Sequence, residues 1–321
     1  MDNDEGLEIA KNMISVANLS RQGFANGDIS TLMSPRTVIS WAENYQIFND
    51  LNKSFEITFL NKCDETERVI IAEYYQRCFD SESVDSIADD IKEAWYKLSA
   101  KNSLSESIKE AVTATSRAIS GNPEIEISFG GMGSSLPNPP RSLEELRSFR
   151  GKADSLACVE KYRDKSLKVQ SGIEKVDSLV RVMEDARVEI LGSIDYPGVA
   201  SNIQAKFSDK CKSYRDLEEQ ADNIEMGIEA WLRKICLPDI PSPESSTFLA
   251  QWSTLFDEQG DTLKKELIES LYNQAQFQEV AEKFLKGLNL DDETKETDDH
   301  DLEDENDVEE DYAAEQGEND E

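Results

Sequence analysis

Apolar residues recur at helical steps along most of this chain, and that spacing confines it to a mainly α fold. Leu104, Ile108, Ala111, Val112, Thr115 and Ile119 form one stripe, and Gly121 stops the helix that carries it. Leu7, Ala10, Ile14 and Ala17 share a face further upstream. Asp64 stands where a helix cap is needed, with Glu67 three residues on to close a capping box ahead of Val69, Ile70 and Ile71. Further helices are predicted at about 142–165, 173–192, 197–216 and 217–236, and a last one from Asp261 to Leu288 behind the breakers Pro238, Pro241 and Pro243. The one β element is Glu124 to Phe129, whose residues alternate as a half-exposed strand does. The glycine-rich stretch Gly130 to Pro140 then reads as a loop. No lysine closes it and prolines separate it from the next helix, so it is no phosphate cradle.

Charge divides the chain. Lys and Arg number 34 against 67 Asp and Glu, a formal net charge of −33. Asp291 to Glu321 alone holds eighteen acidic residues and one lysine, about half of that excess. Such a segment buries little and repels itself, so 291–321 is expected to be a disordered acidic tail. A body this acidic is not a nucleic-acid binder, since phosphate attraction calls for clustered Lys and Arg. Loose association of divalent cations with the tail is expected to be ion atmosphere.

The residue inventory removes several chemistries. The single histidine, His300, lies in the tail, so the folded part holds no Ser-His-Asp or Cys-His site and no zinc site with His ligands. Cys63, Cys78, Cys158, Cys211 and Cys236 form no C-x-x-C pair and read as buried thiols of a cytoplasmic protein. No apolar run is long enough for a bilayer, and the acidic start Met1-Asp2-Asn3-Asp4-Glu5 is unlike a signal peptide. No set of residues reads as catalytic, and no metal site is expected. Trp41, Trp95, Trp231 and Trp252 read as core or interface anchors. Arg117, Arg141, Arg150 and Arg187 are each open to two roles, a carboxylate partner within the fold or a contact on a neighbouring subunit.

One motif does point to a ligand. In Ser34-Pro35-Arg36-Thr37 a favoured N-cap and a proline tolerated at the first helical position place Arg36 beside exposed backbone donors, where an anion such as phosphate is stabilised.

Around that motif, Asn18 to Phe24, Gly27 to Thr31, Trp41 to Asn44 with Ile47-Phe48, and Thr58 to Glu65 with Tyr75-Gln76-Arg77 resemble the C-terminal lid of CobS, the AAA+ subunit family of aerobic cobaltochelatase. The resemblance runs from about Leu7 to about Phe79. It implies that Arg36 is the sensor-2 arginine, which reads the γ-phosphate and turns nucleotide state into lid rotation. From about Ser103 a second resemblance begins. Thr115 to Gly121, the segment Glu124 to Phe129, Pro139-Pro140-Arg141, Arg150 to Ala157, Ala186 to Ser193 and Gly198 to Ile203 are similar to the N-terminal region of the CobT family, the companion subunit. A histidine that this family carries shortly after Ala153-Asp154-Ser155 is missing, with Tyr162-Arg163-Asp164 at about that place.

The chain therefore divides into a CobS-like lid (1–80), a linker (81–102), a CobT-like helical domain (103–290) and the tail. Neither a Walker loop nor an Asp-x-Ser-x-Ser metal motif occurs in it. By resemblance the chain is a cobaltochelatase subunit, or part of one, serving cobalt insertion into hydrogenobyrinic acid a,c-diamide in cobalamin synthesis. It would act in assembly and docking and be inactive alone. ATP, Mg and cobalt are implied for the complex and none for the isolated chain. The implied partners are a CobN-like large subunit and CobS-like and CobT-like subunits, with no nucleic acid and no membrane. The alternatives are a MoxR-like non-enzymatic accessory or adaptor, and a remnant spanning two adjacent genes.

Overall fold

Trp41 organises the first group of helices in the computed structural model, which describes residues 3–89, 91, 101–131, 133–215 and 223–288. Helix α1 (Asn3–Asn26) leads through Gly27, at φ +81°, into a loop that ends at α2 (Pro35–Phe48). Asn49 stops α2 in the left-handed conformation, and the Asp50 carboxylate accepts the Lys53 N–H at 2.9 Å to start α3 (Leu51–Thr58). Helix α4 (Glu65–Phe79) ends at Asp80, also left-handed. The Trp41 ring lies 4.8 Å from Phe55 and 5.7 Å from Phe79, and Phe55 lies 4.8 Å from Tyr75. Full burial of a side chain such as Phe55 contributes about 1.5–3 kcal/mol.

Two local expectations fail here. The face Leu7–Ala10–Ile14 of α1 points outward, with Leu7 56% and Ile14 51% exposed. The helix carries two apolar stripes, and α4 and the helix Lys101–Ser120 cover the other one, built from Met13, Val16, Ala17 and Ser20. Its continuation is Gly23, where a Cβ would overlap the hydroxyl of Tyr74. Nor does the Asp64–Glu67 capping box form: Asp64 makes no side-chain cap bond, and Glu67 instead accepts the Ser30 N–H from the loop after α1. Burial works against the charged form of Glu67, yet hydrogen bonds from Ser30 and Thr31 hold its carboxyl below the ordinary value.

Helix α5 (Lys101–Ser120) buries Ile108, Ala111, Val112, Thr115 and Ile119 and closes at Gly121, φ +72°, as its stripe requires. The strand predicted at 124–129 is absent. An isolated bridge between Phe129 and Leu136 takes its place, with Gly130 N–H bonded to Leu136 O at 2.9 Å. A strand needs a neighbour to pair with, and among the described residues this segment makes backbone–backbone bonds only with its own glycine loop. Helices α6 (Leu143–Tyr162), α7 (Glu174–Asp195) and α8 (Pro197–Arg215) follow the predicted positions. Helix α9 (Ile224–Cys236) starts at the Asn223 cap, while most of 217–223 lies outside the described residues. Helix α10 (Ser246–Asp257) was not anticipated. The helix predicted from Asp261 to Leu288 is two, α11 (Asp261–Glu269) and α12 (Gln274–Gly287), because Asn273 caps a fresh start by accepting the Gln276 N–H at 3.2 Å. No strand occurs among the described residues, and the fold is mainly α as expected.

One core joins α1–α4 to α5, α6 and the residues Val188, Val199 and Ile203. A second packs the other face of α7 against α9–α12, with Trp231 stacked on Phe284 at 4.9 Å. Two glycines set the close approach of α6 to its neighbours: a Cβ on Gly151 would strike the Asn202 carbonyl of α8, and one on Gly192 of α7 would strike the Cys158 sulfur. Trp95, much of the predicted linker and the predicted disordered tail lie outside the described residues.

Candidate functional site

Arg36 stands where its sequence context predicts. Ser34 adopts an extended conformation and accepts the Thr37 N–H at 3.2 Å, and Pro35 occupies the first helical position. No carboxylate lies in the first turn of α2. The Arg36 side chain is exposed and makes no hydrogen bond or ion pair with any described residue. An unpaired guanidinium beside the positive end of a fourteen-residue helix can hold an anion delivered from outside. The described residues contain no group of three or more His, Cys, Asp or Glu placed to hold a metal ion. Arg36 and the backbone donors of this helix start thus offer one point of contact for an anion.

The other arginines go largely inward. Arg117 reaches Asp28 at 2.9 Å and the Ile125 carbonyl at 3.1 Å. Arg187 pairs with Glu184 at 2.8 Å and donates to the carbonyls of Leu271 at 2.6 Å and Tyr162 at 2.8 Å. Arg141 is exposed, with no ion pair to a described residue. Arg150 belongs to a cluster that sequence reasoning missed, because its members are far apart along the chain.

That cluster links α4 to α6 and α8. Arg150 donates to Glu73 from two nitrogens, Nε at 3.0 Å and Nη2 more closely, and to Glu82 as well. Arg77 donates to Glu73 at 2.7 Å and to Asp154 at 2.8 Å. Asn202 donates to Asp154 at 2.9 Å and to Gln76 at 3.1 Å. Glu73, Gln76, Arg77, Arg150 and Asn202 are all 0% exposed, so the charges are held by one another and not by water. Burial drives the Glu73 carboxyl upward, but the guanidiniums of Arg150 and Arg77 override it and keep the group below its ordinary value. For Asp154 burial prevails over Arg77, and its carboxyl is raised. At the rim, Asp80 accepts from Arg147 at 2.8 Å and from Ser201 at 2.6 Å.

A second buried cluster lies between α7, α8 and α9. Arg233 binds Glu189 and Glu229, while Lys206 and Lys210 pair with the same two carboxylates from α8. Burial opposes the charge on Glu189, yet Arg233 and Lys206 bring its carboxyl down to about 2. Arg233 also lines a cavity of about 220 Å³ with Lys234, Gln204 and Ser242, but its charge is already matched. None of the five cysteines is in a disulfide, and four are buried. Trp41 and Trp231 are buried core residues as predicted, and Trp252 packs against the second core. No described helix is long and apolar enough to cross a membrane.

Comparison with known proteins assigns the two parts separately. The family model described as cobalamin biosynthesis protein CobT matches residues 102–321. The N-terminal part is 54% identical over 91 residues to the aerobic cobaltochelatase subunit CobS of Sinorhizobium sp, covering 28% of this chain and 27% of that relative. The chain thus spans about a quarter of that relative's length. No solved structure matches it. The family region takes in the glycines that let α6, α7 and α8 close and every residue of α6 and α8 in the α4 cluster. The chain belongs to the CobT family of cobalamin biosynthesis proteins and carries, ahead of the family region, a segment similar to CobS.

Proposed function

We propose that this protein is an assembly and docking component of an ATP-dependent cobaltochelatase, a CobS-like AAA+ lid carried on CobT-family helices. The observation that carries the reading is Arg36: exposed, unpaired and presented by a capped helix start within the segment similar to CobS. In this role Arg36 contacts the γ-phosphate of an ATP bound by an AAA+ core on another molecule. The chemistry ATP and Mg supply there is phosphoryl transfer, and this chain's part is to place one positive charge and to couple its state to a rigid-body turn of the lid. Cobalt is substrate for the complex, and a CobN-like large subunit is the partner that would handle it together with the macrocycle.

The division proposed is a CobS-like lid over 1–80, a linker over 81–102, a CobT-like domain over 103–290 and an acidic tail, all in the cytoplasm. The test is reconstitution with a CobN-type subunit and an intact AAA+ CobS-type subunit, reading co-elution and cobalt insertion. Binding to either, with nucleotide-dependent insertion that Arg36→Ala weakens, is the expected result. Failure to bind both would sink the chelatase role in favour of an adaptor.

A further inference from the structure

We propose that the cleft between α7, α12 and the segment joining α6 to α7 is a binding site for a small organic polyanion, held through its phosphate or carboxylate oxygens by Arg163, Lys168 and Arg181. The cleft lies within the CobT-family region, and the inference does not depend on the chelatase reading or on Arg36.

The joining segment is pinned at both ends. Gln274 of α12 accepts the Asp164 N–H at 2.7 Å and donates to the Asp164 carbonyl at 3.2 Å, and the Ser171 N–H donates to Asp177 of α7 at 2.7 Å. Between those anchors Val169 packs against the second core. A cavity of about 560 Å³ lies between this segment and the two helices, within the size range of sites for small organic ligands.

Charge in the cleft is unbalanced. Lys168 and Arg181 are exposed and make no ion pair with a described residue, in a chain where acidic residues outnumber basic ones 67 to 34. The two carboxylates that line the cleft are already occupied: Glu184 accepts from Arg187 at 2.8 and 2.7 Å, and Asp185 accepts from Arg163. Asp177, one turn before Arg181, lies close enough for the two charges to attract, but it forms no ion pair with Arg181 and accepts the Ser171 N–H instead.

Arg163 supplies the second observation. Its Nε is shielded from solvent and has no hydrogen-bond acceptor, since the nearest Glu184 oxygen is 3.8 Å away and already taken by Arg187. An oxyanion in the cleft supplies the acceptor that the protein does not. Guanidinium forks suit phosphate and carboxylate alike, and Lys168 adds a point charge. Leu167 and Val169 give the cleft an apolar wall, which fits a ligand with a carbon skeleton better than a bare ion.

The experiment is isothermal titration of the full chain at low ionic strength with two probes, citrate and fructose 1,6-bisphosphate, and with fructose as the neutral control. One saturable site is expected for at least one of the anions and none for fructose. Arg181→Ala and Lys168→Ala should each weaken binding about tenfold. Asp185→Asn, which removes a negative charge and releases Arg163, should tighten it. Arg141→Ala, an exposed cation outside the cleft, should leave it unchanged, and all four variants should keep the parent's melting temperature because they alter exposed side chains. Preference for citrate identifies a carboxylate ligand, preference for the bisphosphate an organic phosphate, and equal affinity a site that reads charge alone; each upholds the proposal. No saturable binding of either anion at millimolar concentration, binding that survives both Arg181→Ala and Lys168→Ala, equal weakening by Arg141→Ala, or no gain in Asp185→Asn would overturn it. A chain that binds its anion here but supports no cobalt insertion would lose the chelatase role and keep this site.

Discussion

Arg150 and Glu73 stand 77 positions apart in the sequence and meet in full burial, Nε to Oε2 at 3.0 Å, with a closer bond from Nη2 beside it. Glu73 also takes Arg77 at 2.7 Å, so one carboxylate from α4 balances a guanidinium of its own helix and one from α6. Removing a single member leaves a buried charge without its counterpart, which costs more than the pair contributes.

Arg150→Met is therefore expected to destabilise the protein by about 3–5 kcal/mol, read as a lower midpoint in urea denaturation. Arg141→Ala, at an exposed position without an ion pair, should change stability by less than about 0.5 kcal/mol. Equal midpoints for the two variants would show that the cluster contributes nothing to holding α4 in place.

Arg36→Ala should likewise leave the denaturation midpoint within about 0.5 kcal/mol of the parent, because the side chain is exposed and holds no described partner. Purified alone, the chain should hydrolyse no ATP above background. A marked loss of stability in the variant would make Arg36 a structural residue, and turnover by the isolated chain would contradict the absence of a phosphate loop.

Gly192→Ala should cost about 1–3 kcal/mol, since the added methyl group meets the Cys158 sulfur. Combining it with Cys158→Ala should recover most of that loss, because the second change removes the atom in the way. Thermal melts of the two single variants and the double variant decide the point; strictly additive losses would place the strain elsewhere.

Acid should weaken the second cluster. The Glu189 carboxyl is lowered from 4.5 to about 2, so its contribution to stability is fully present above about pH 4.5 and is lost as pH falls toward 2. The contribution is on the order of 3 kcal/mol. Denaturation curves at pH 3 and pH 7 should differ by more in the parent than in Glu189→Gln, which has no proton to gain. Parallel pH dependence in both would mean that Glu189 does not titrate as its neighbours dictate.

Much of this architecture was legible from spacing alone, and the exceptions have definite causes. The stripe of α5 predicted a helix because Ile108, Ala111, Val112, Thr115 and Ile119 are all buried on it. On α1 two stripes compete, and the one that α4 and α5 cover is the buried one. Alternation at 124–129 described a strand that has nothing to pair with. Of the candidate site residues, the position of Arg36 at a helix start was readable because cap, proline and arginine are adjacent. The Glu73–Arg77–Arg150–Asp154 cluster was not, because no local pattern tells a buried arginine from an exposed one.

Helix α7 gives Val188 to one core and Leu179, Met183 and Ile190 to the other, and the first core also needs Val199 and Ile203 from α8. Synthesis on the ribosome proceeds from the N-terminus, so α1–α4 emerge well before the residues that complete their core. That core must wait, partly unsealed, until Ile203 has been translated, and a pause or chaperone acting in that interval would govern the yield of folded protein.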